Sequence, residues 1–180
     1  TFSFLDWFKG RIPSACCRTA LSIDPSLESA VDQVAEGLVG IDSADLALVF
    51  ASTAYASDLP RLLPLLRSRL NANHWVGCAG GGVIGTDDLG KTLEVEQKPS
   101  LCVSLFKLPG AFLEVFSLDT GCLPDLDGSF ENWQDWVGVD SGKTRSLLLF
   151  IDPASDGIND LISGLDYAYP AASTIGGIAG

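Results

Sequence analysis

The chain has 180 residues, enough for one ordinary domain, and its 47% hydrophobic and 19% charged content excludes disorder and allows a core without disulfide or metal staples. Its formal net charge is −12, from 23 acidic against 11 basic side chains, which argues against nucleic-acid and anionic-lipid partners, both of which are held by clustered lysine and arginine. No apolar run reaches the ~18 residues that a membrane-spanning helix needs.

Residues 1–22 read as an N-terminal arm. Lys9, Arg11 and Arg18 face only Asp6 there, and Phe2, Phe4, Trp7 and Phe8 supply apolar weight. Two readings stand: the remnant of an organellar targeting segment, or an arm docked on the body. The sequence contains no methionine, so it reads as a processed or excised chain. Asp24-Pro25-Ser26 then opens a helix, with Asp24 as the expected cap and Pro25 at the first helical position. Leu27, Ala30, Val31, Val34, Ala35, Leu38 and Val39 form its apolar stripe, and Gly37 and Gly40 mark its end.

Asp45–Ser52 is a continuous apolar run of the buried-strand type. A second helix is expected over Ser57–Asn71, with Leu59, Leu62, Leu63, Leu66 and Leu70 inward. Pro60 fits its first turn, and Pro64 should bend it or delay its start. Trp75–Ala79 reads as a short strand entering a glycine-rich turn. Strands follow at Thr92–Glu96, Leu101–Leu108 and Phe112–Leu118, the last two joined by a hairpin turn over Lys107–Ala111. Cys122–Ser129 is an acidic loop, and Phe130–Val137 a short helix or lid.

The first pattern then returns about 100 residues on, the mark of an internal repeat. Leu147–Ile151 echoes Leu46–Phe50, Gly157–Tyr167 supplies a helix, and Thr174–Gly180 echoes Trp75–Gly81. The repeat spans about 45–85 and 146–180, and its second copy stops inside the glycine turn, as if cut. The expected fold is therefore mixed α/β: duplicated strand–helix–strand units, with additional antiparallel strands packed against helices.

Several motifs bear on chemistry. Gly80-x-Gly82-x-x-Gly85 fits a dinucleotide fingerprint, but Thr86-Asp87-Asp88 follows where a helix must start. Gly85–Thr92 fits the phosphate-loop pattern, yet Lys91-Thr92 enters an alternating strand and two aspartates would face the phosphates. Gly138–Thr144 has the wrong spacing for that loop and reads as a turn. Asp125–Ser129 lacks the remaining ligands of a calcium loop. Cys78 sits where a strand meets glycines, the position of a nucleophile on an elbow, but His74, four residues upstream on the incoming segment, need not reach the thiol. The five cysteines, Cys16, Cys17, Cys78, Cys102 and Cys122, have no zinc spacing and read as buried free thiols of a reducing compartment. No catalytic constellation, metal site or cofactor is expected.

Leu48-Val-Phe-Ala-Ser52, Asp58-Leu-Pro-Arg-Leu-Leu63, Trp75-Val-Gly-Cys-Ala-Gly-Gly-Gly-Val-Ile-Gly85 and Ile175-Gly-Gly-Ile-Ala-Gly180 resemble the FIST N-terminal domain, over about residues 23–180. The resemblance implies an intracellular sensory module that binds small ligands, amino acids among them. It also implies a partner for the signal, either a C-terminal FIST domain or an attached output domain, and it brings no catalytic residues. Under this reading the ligand site lies at the strand ends of both units: Ser52, Thr53, Cys78, Gly80, Gly81 and Gly82 in the first, and Asp152, Ser155, Gly176 and Gly177 in the second. The glycine amides would hold a ligand carboxylate and Asp152 would pair an ammonium. The expected compartment is the cytoplasm, or the plastid stroma or lumen if the arm is a targeting remnant. The alternatives are a non-binding interaction module, a phosphate-loop protein relying on Lys91, and a thiol enzyme relying on Cys78.

Overall fold

The computed structural model describes residues 14–179. They fall into two compact units, one ending at Leu113 and the other running from Glu114, and each has its own core. The aromatic residues of the arm, Phe2 to Phe8, lie outside the described residues.

The first unit comprises β1 (Cys16–Ser22), α1 (Leu27–Gly37), β2 (Ala44–Ser52), α2 (Leu59–Arg69), β3 (Ala72–Gly80), β4 (Gly82–Thr86), β5 (Thr92–Glu96) and β6 (Leu101–Lys107). Its sheet runs in the order β1-β6-β2-β3, with β4 and β5 forming a separate antiparallel hairpin. β6 lies antiparallel to both β1 and β2, whereas β3 lies parallel to β2 across the α2 connection. The end of the supposed arm is thus an edge strand, paired from Cys16 opposite Lys107 to Ser22 opposite Leu101.

The core of this unit follows from two periodicities. Ala47, Val49 and Ala51 alternate along β2, and Val103 and Leu105 along β6. Leu27, Ala30, Val31 and Val34 recur at helical spacing on α1, joined by Leu62 and Leu66 of α2. Each fully buried leucine or valine contributes about 1.5–3 kcal/mol relative to exposure. Val39, expected on the α1 stripe, lies beyond the helix and is exposed. The cap of α1 is Ser26 and not Asp24: the Ser26 hydroxyl accepts from the Ser29 amide at 3.4 Å. Asp24 braces that cap from outside, accepting from the Ser26 amide at 2.9 Å and from Gln33 Nε2 at 3.0 Å. Pro64 sits inside α2 without delaying it. The bond it forgoes is the one to the Pro60 carbonyl, within the first turn.

Phe112–Leu118 is not a strand. It is rich in strand-forming residues, but it pairs with no strand among the described residues, and its side chains split. Phe112 and Val115 are exposed, while Phe116 and Leu118 pack against the second core. The expected hairpin at Lys107–Ala111 is lost with it.

The second unit holds a single-turn 3-10 helix at Thr120–Cys122, α3 (Phe130–Val137), β7 (Ser146–Ile151), α4 (Ile158–Ala168) and β8 (Ser173–Ile178). The helical alternative for Phe130–Val137 is the one realised. Trp133, Val137, Leu147, Leu149, Leu161, Leu165, Ala168 and Tyr169 form its core. The Tyr169 hydroxyl is buried, and it is satisfied by donating to the Val139 carbonyl at 2.8 Å.

β7 and β8 pair in parallel across α4, as β2 and β3 do across α2. The two halves of the sequence repeat are therefore the same strand–helix–strand object. One detail ties them together. Gly77 lies opposite Val49 and Gly176 opposite Leu149. A Cβ on Gly77 would sit 1.9 Å from the Val49 carbonyl oxygen, and one on Gly176 would sit 2.0 Å from that of Leu149. The same glycine admits the same neighbouring carbonyl in both copies. No helix among the described residues is long and apolar enough to cross a membrane.

Candidate functional site

The expected first-unit site residues gather around the carboxyl end of the parallel pair. Ser52 closes β2 directly opposite Gly80, the last residue of β3. Its hydrogen-bonding groups are occupied: the amide donates to the Ser100 carbonyl at 2.8 Å and the hydroxyl accepts from the Ala54 amide at 3.1 Å. Thr53, itself exposed, opens a 3-10 turn, Thr53–Tyr55, whose Tyr55 is buried. Gly81 is the bend between β3 and β4, and its carbonyl accepts from the Gln97 amide at 3.5 Å. Gly82 pairs with Glu96, and the Glu96 side chain lies against the place a Gly82 Cβ would occupy. A carboxylate already stands beside these glycines, so an anionic ligand group would meet repulsion there.

In the second unit, Asp152 and Ser155 share a turn after β7. The Ser155 amide donates to the Asp152 carbonyl at 2.9 Å, and the Asp152 carboxylate accepts from the Ala154 amide at 2.8 Å. Gly176 and Gly177 lie within β8, opposite Leu149 and Phe150. The glycine-rich segments are therefore mostly strand, and Gly77 and Gly176 are filled by protein carbonyls.

The first unit also carries a cavity of about 330 Å³ between α2 and the edge strand β3. Val49 and Ala51 form its floor, Leu59, Leu62, Leu63 and Leu66 one wall, and the run from Trp75 to Ala79 the other. Cys78 is the one residue of the expected site that lines it. The Trp75 indole N–H is spent on the Ala72 carbonyl at 3.0 Å. That leaves the Cys78 thiol and the main chain of β3 as the polar groups of the wall, and no charged residue lines the cavity. β3 pairs only with β2 among the described residues, so its outer edge keeps unpaired amides and carbonyls. The helical spacing of the α2 leucines predicts one inner face. The missed signal was their number: Leu59, Leu62, Leu63, Leu65 and Leu66 are more than one stripe on an eleven-residue helix can turn inward.

The competing chemistries find little geometry. The stretch carrying Lys91 is a hairpin turn in which the Asp87 carboxylate accepts from the amides of Leu89 at 3.0 Å and Lys91 at 2.8 Å. The amides that a phosphate loop would turn on its ligand are held by that carboxylate. His74 and Cys78 stand on one strand four residues apart, about 13 Å at strand rise, so the imidazole does not reach the thiol. The Asp125 carboxylate caps its own loop, accepting from the Asp127 amide at 3.1 Å. Among the described residues no group of three or more His, Cys, Asp or Glu side chains is placed to hold a metal ion.

The cysteines correct one expectation. Cys16, Cys17 and Cys122 are exposed, Cys78 is half-buried, and only Cys102 is buried. Burial pushes the Cys78 thiol up, and pushes that of Cys102 up to about 11. A raised pKa means less thiolate, which is the reactive form. A neutral alkylating reagent at pH 8 is expected to label the three exposed cysteines first, Cys78 more slowly, and Cys102 only on unfolding. Mass spectrometry of a labelling time course reads the order, and early labelling of Cys102 would contradict it. The sign for stability is also fixed. Below about pH 9 both states hold the Cys102 proton. Above it the unfolded chain releases the proton first, so stability falls between about pH 9 and 11.

A family model described as the FIST N domain matches residues 45–180. The match starts within β2, leaving β1 and α1 outside it, and takes in both strand–helix–strand units. No curated protein matches the chain.

Proposed function

Because the chain belongs to the FIST N domain family, whose domains are sensory and signalling modules, we propose that it binds a small metabolite and passes its occupancy to an attached or partner domain. The observation that carries this reading is the cavity of about 330 Å³ in the β2–α2–β3 unit. It falls in the size range of small-molecule sites and lies between α2 and the carboxyl-terminal half of the parallel β2–β3 pair. Helix α2 forms one wall and edge strand β3 the other, so a ligand seated between them would tighten the packing of one on the other. That is a change a neighbouring domain can read. Binding, not catalysis, is the activity assigned, and a C-terminal FIST domain or an output domain is the partner.

The test is a thermal-shift panel of amino acids, nucleotides, small carboxylates and neutral aromatics. A ligand at one hundred times its dissociation constant adds about 2.7 kcal/mol, roughly a 5–10 °C shift. A shift with any class supports the sensor, and silence across the panel overturns it. The second reading, an interaction module that binds no small molecule, draws on the β7–β8 pair. Leu148, Ile175 and Ile178 are exposed there, although parallel strands are ordinarily covered on both faces. That reading expects the silent panel.

A further inference from the structure

Resting on the sensor reading, we infer that the cavity between α2 and β3 takes an uncharged aromatic molecule of about two fused rings, and not an amino acid. Size is the first argument. An apolar protein cavity of about 150 Å³ accepts benzene, so about 330 Å³ has room for a bicyclic ring. The second argument is the chemistry of the wall. Leu59, Leu62, Leu63, Leu66 and Val49 are aliphatic, Trp75 offers an aromatic surface, and no charged residue lines the space. The space opens to solvent on one side, and no group lining it would pair a zwitterion's ammonium or carboxylate, so the charged tail would either hold the ring back toward water or lose hydration unpaired, both at a cost to binding.

One polar contact is nevertheless on offer. The outer edge of β3 has no strand partner among the described residues, so beyond Ala72, whose carbonyl accepts from the Trp75 indole, its edge carbonyls can accept one N–H or O–H. Selective small-molecule sites combine an apolar wall with a few such groups. The ligand class is therefore a neutral fused aromatic with a single donor, for which indole is the minimal probe. The glycine-rich bend after β3 offers no competing anion site, since Glu96 packs beside Gly82.

The matched pair indole and tryptophan tests this, because the two share a ring and differ by the zwitterionic tail. Calorimetric titration of the full chain should show indole binding tighter than tryptophan by about tenfold or more. Leu63→Asp, at a position 38% exposed and so tolerant of a charge, should abolish indole binding while the circular dichroism and melting curve stay native. Independently of any variant, indole should move the amide resonances of Leu63, Leu66, Trp75 and Ala79. Tryptophan binding as tightly as indole, or resonance shifts confined to other residues, would overturn the assignment while leaving the sensor standing. Absence of indole binding overturns the ligand class alone, because the wider panel judges the sensor separately.

Discussion

Gly77→Ala is expected to destabilise the first unit by about 3 kcal/mol, at the upper end of overpacking costs. The added methyl would lie 1.9 Å from the Val49 carbonyl oxygen, and that atom belongs to the central parallel strand. A flexible side chain in its place could swing aside, but β2 is held by β6 on one side and by β3 on the other. Relief therefore requires parting β2 from β3, which disturbs the buried residues of β2 and the half-buried ones of β3 packed on them. Gly176→Ala should act in the same way on the second unit, with the Leu149 carbonyl 2.0 Å from the new atom. A positive φ of 149° at Gly176 adds backbone strain. Gly81→Ala is the control, since nothing lies within 4 Å of that position, and it should stay within about 0.5 kcal/mol of the parent. Amide hydrogen exchange resolved by peptide separates the two units: Gly77→Ala should deprotect β2 and β3, and Gly176→Ala should deprotect β7 and β8. Unchanged protection in either case would refute the close approach.

Trp133→Ala is expected to cost the second unit about 3–5 kcal/mol, the usual range for deleting a buried large aromatic. Trp133 is fully buried on α3, its ring 5.7 Å from that of Trp136 in an edge-on contact. It lies over Gly164 of α4 so closely that a Cβ there would come within 2.1 Å of the indole. The indole N–H donates to the Asp125 carbonyl at 3.3 Å, so one side chain joins α3, α4 and the acidic loop. With only eight buried hydrophobic residues in this core, the loss should leave the unit largely unfolded at room temperature. Near-ultraviolet circular dichroism should lose its tryptophan signal from this region while the β1–β6 exchange protection of the first unit persists. Gly164→Ala should reproduce part of the effect by displacing the ring. A native denaturation midpoint for Trp133→Ala would count against this account of the core.

The strands and helices that bury a full face were legible from the residues. Leu46–Phe50 and Leu147–Ile151 show as strands through their apolar runs, although Leu148 leaves one side of the second exposed, and α1 announces itself through Leu27, Val31 and Val34. The duplication was legible too, because an apolar run, a helix and a glycine-rich stretch recur in the same order about 100 residues on. What escaped was set by partners distant in sequence. β1 begins Cys-Cys-Arg-Thr, with little apolar pattern, and is a strand because β6 pairs with it. Phe112–Leu118 has strand-forming residues and lacks a pairing strand among the described residues. The glycine-rich stretch after Trp75 reads locally as a turn, yet most of it is extended, its glycines admitting neighbouring backbone. The groove along α2 was hidden for a related reason, since a leucine facing a cavity and one facing a core are the same letter.

The order β1-β6-β2-β3 has a kinetic consequence. β2, α2 and β3 are consecutive in the chain and can close as soon as Gly80 is available. β6, which separates β1 from β2, arrives only after the β4–β5 hairpin has been passed. Long-range pairing is slow because loop-closure entropy is spent before the contacts repay it. During synthesis the first unit should therefore wait as a two-stranded nucleus flanked by a loose N-terminal segment. Insertion of β6 between β1 and β2 is the step that commits the domain to its native topology.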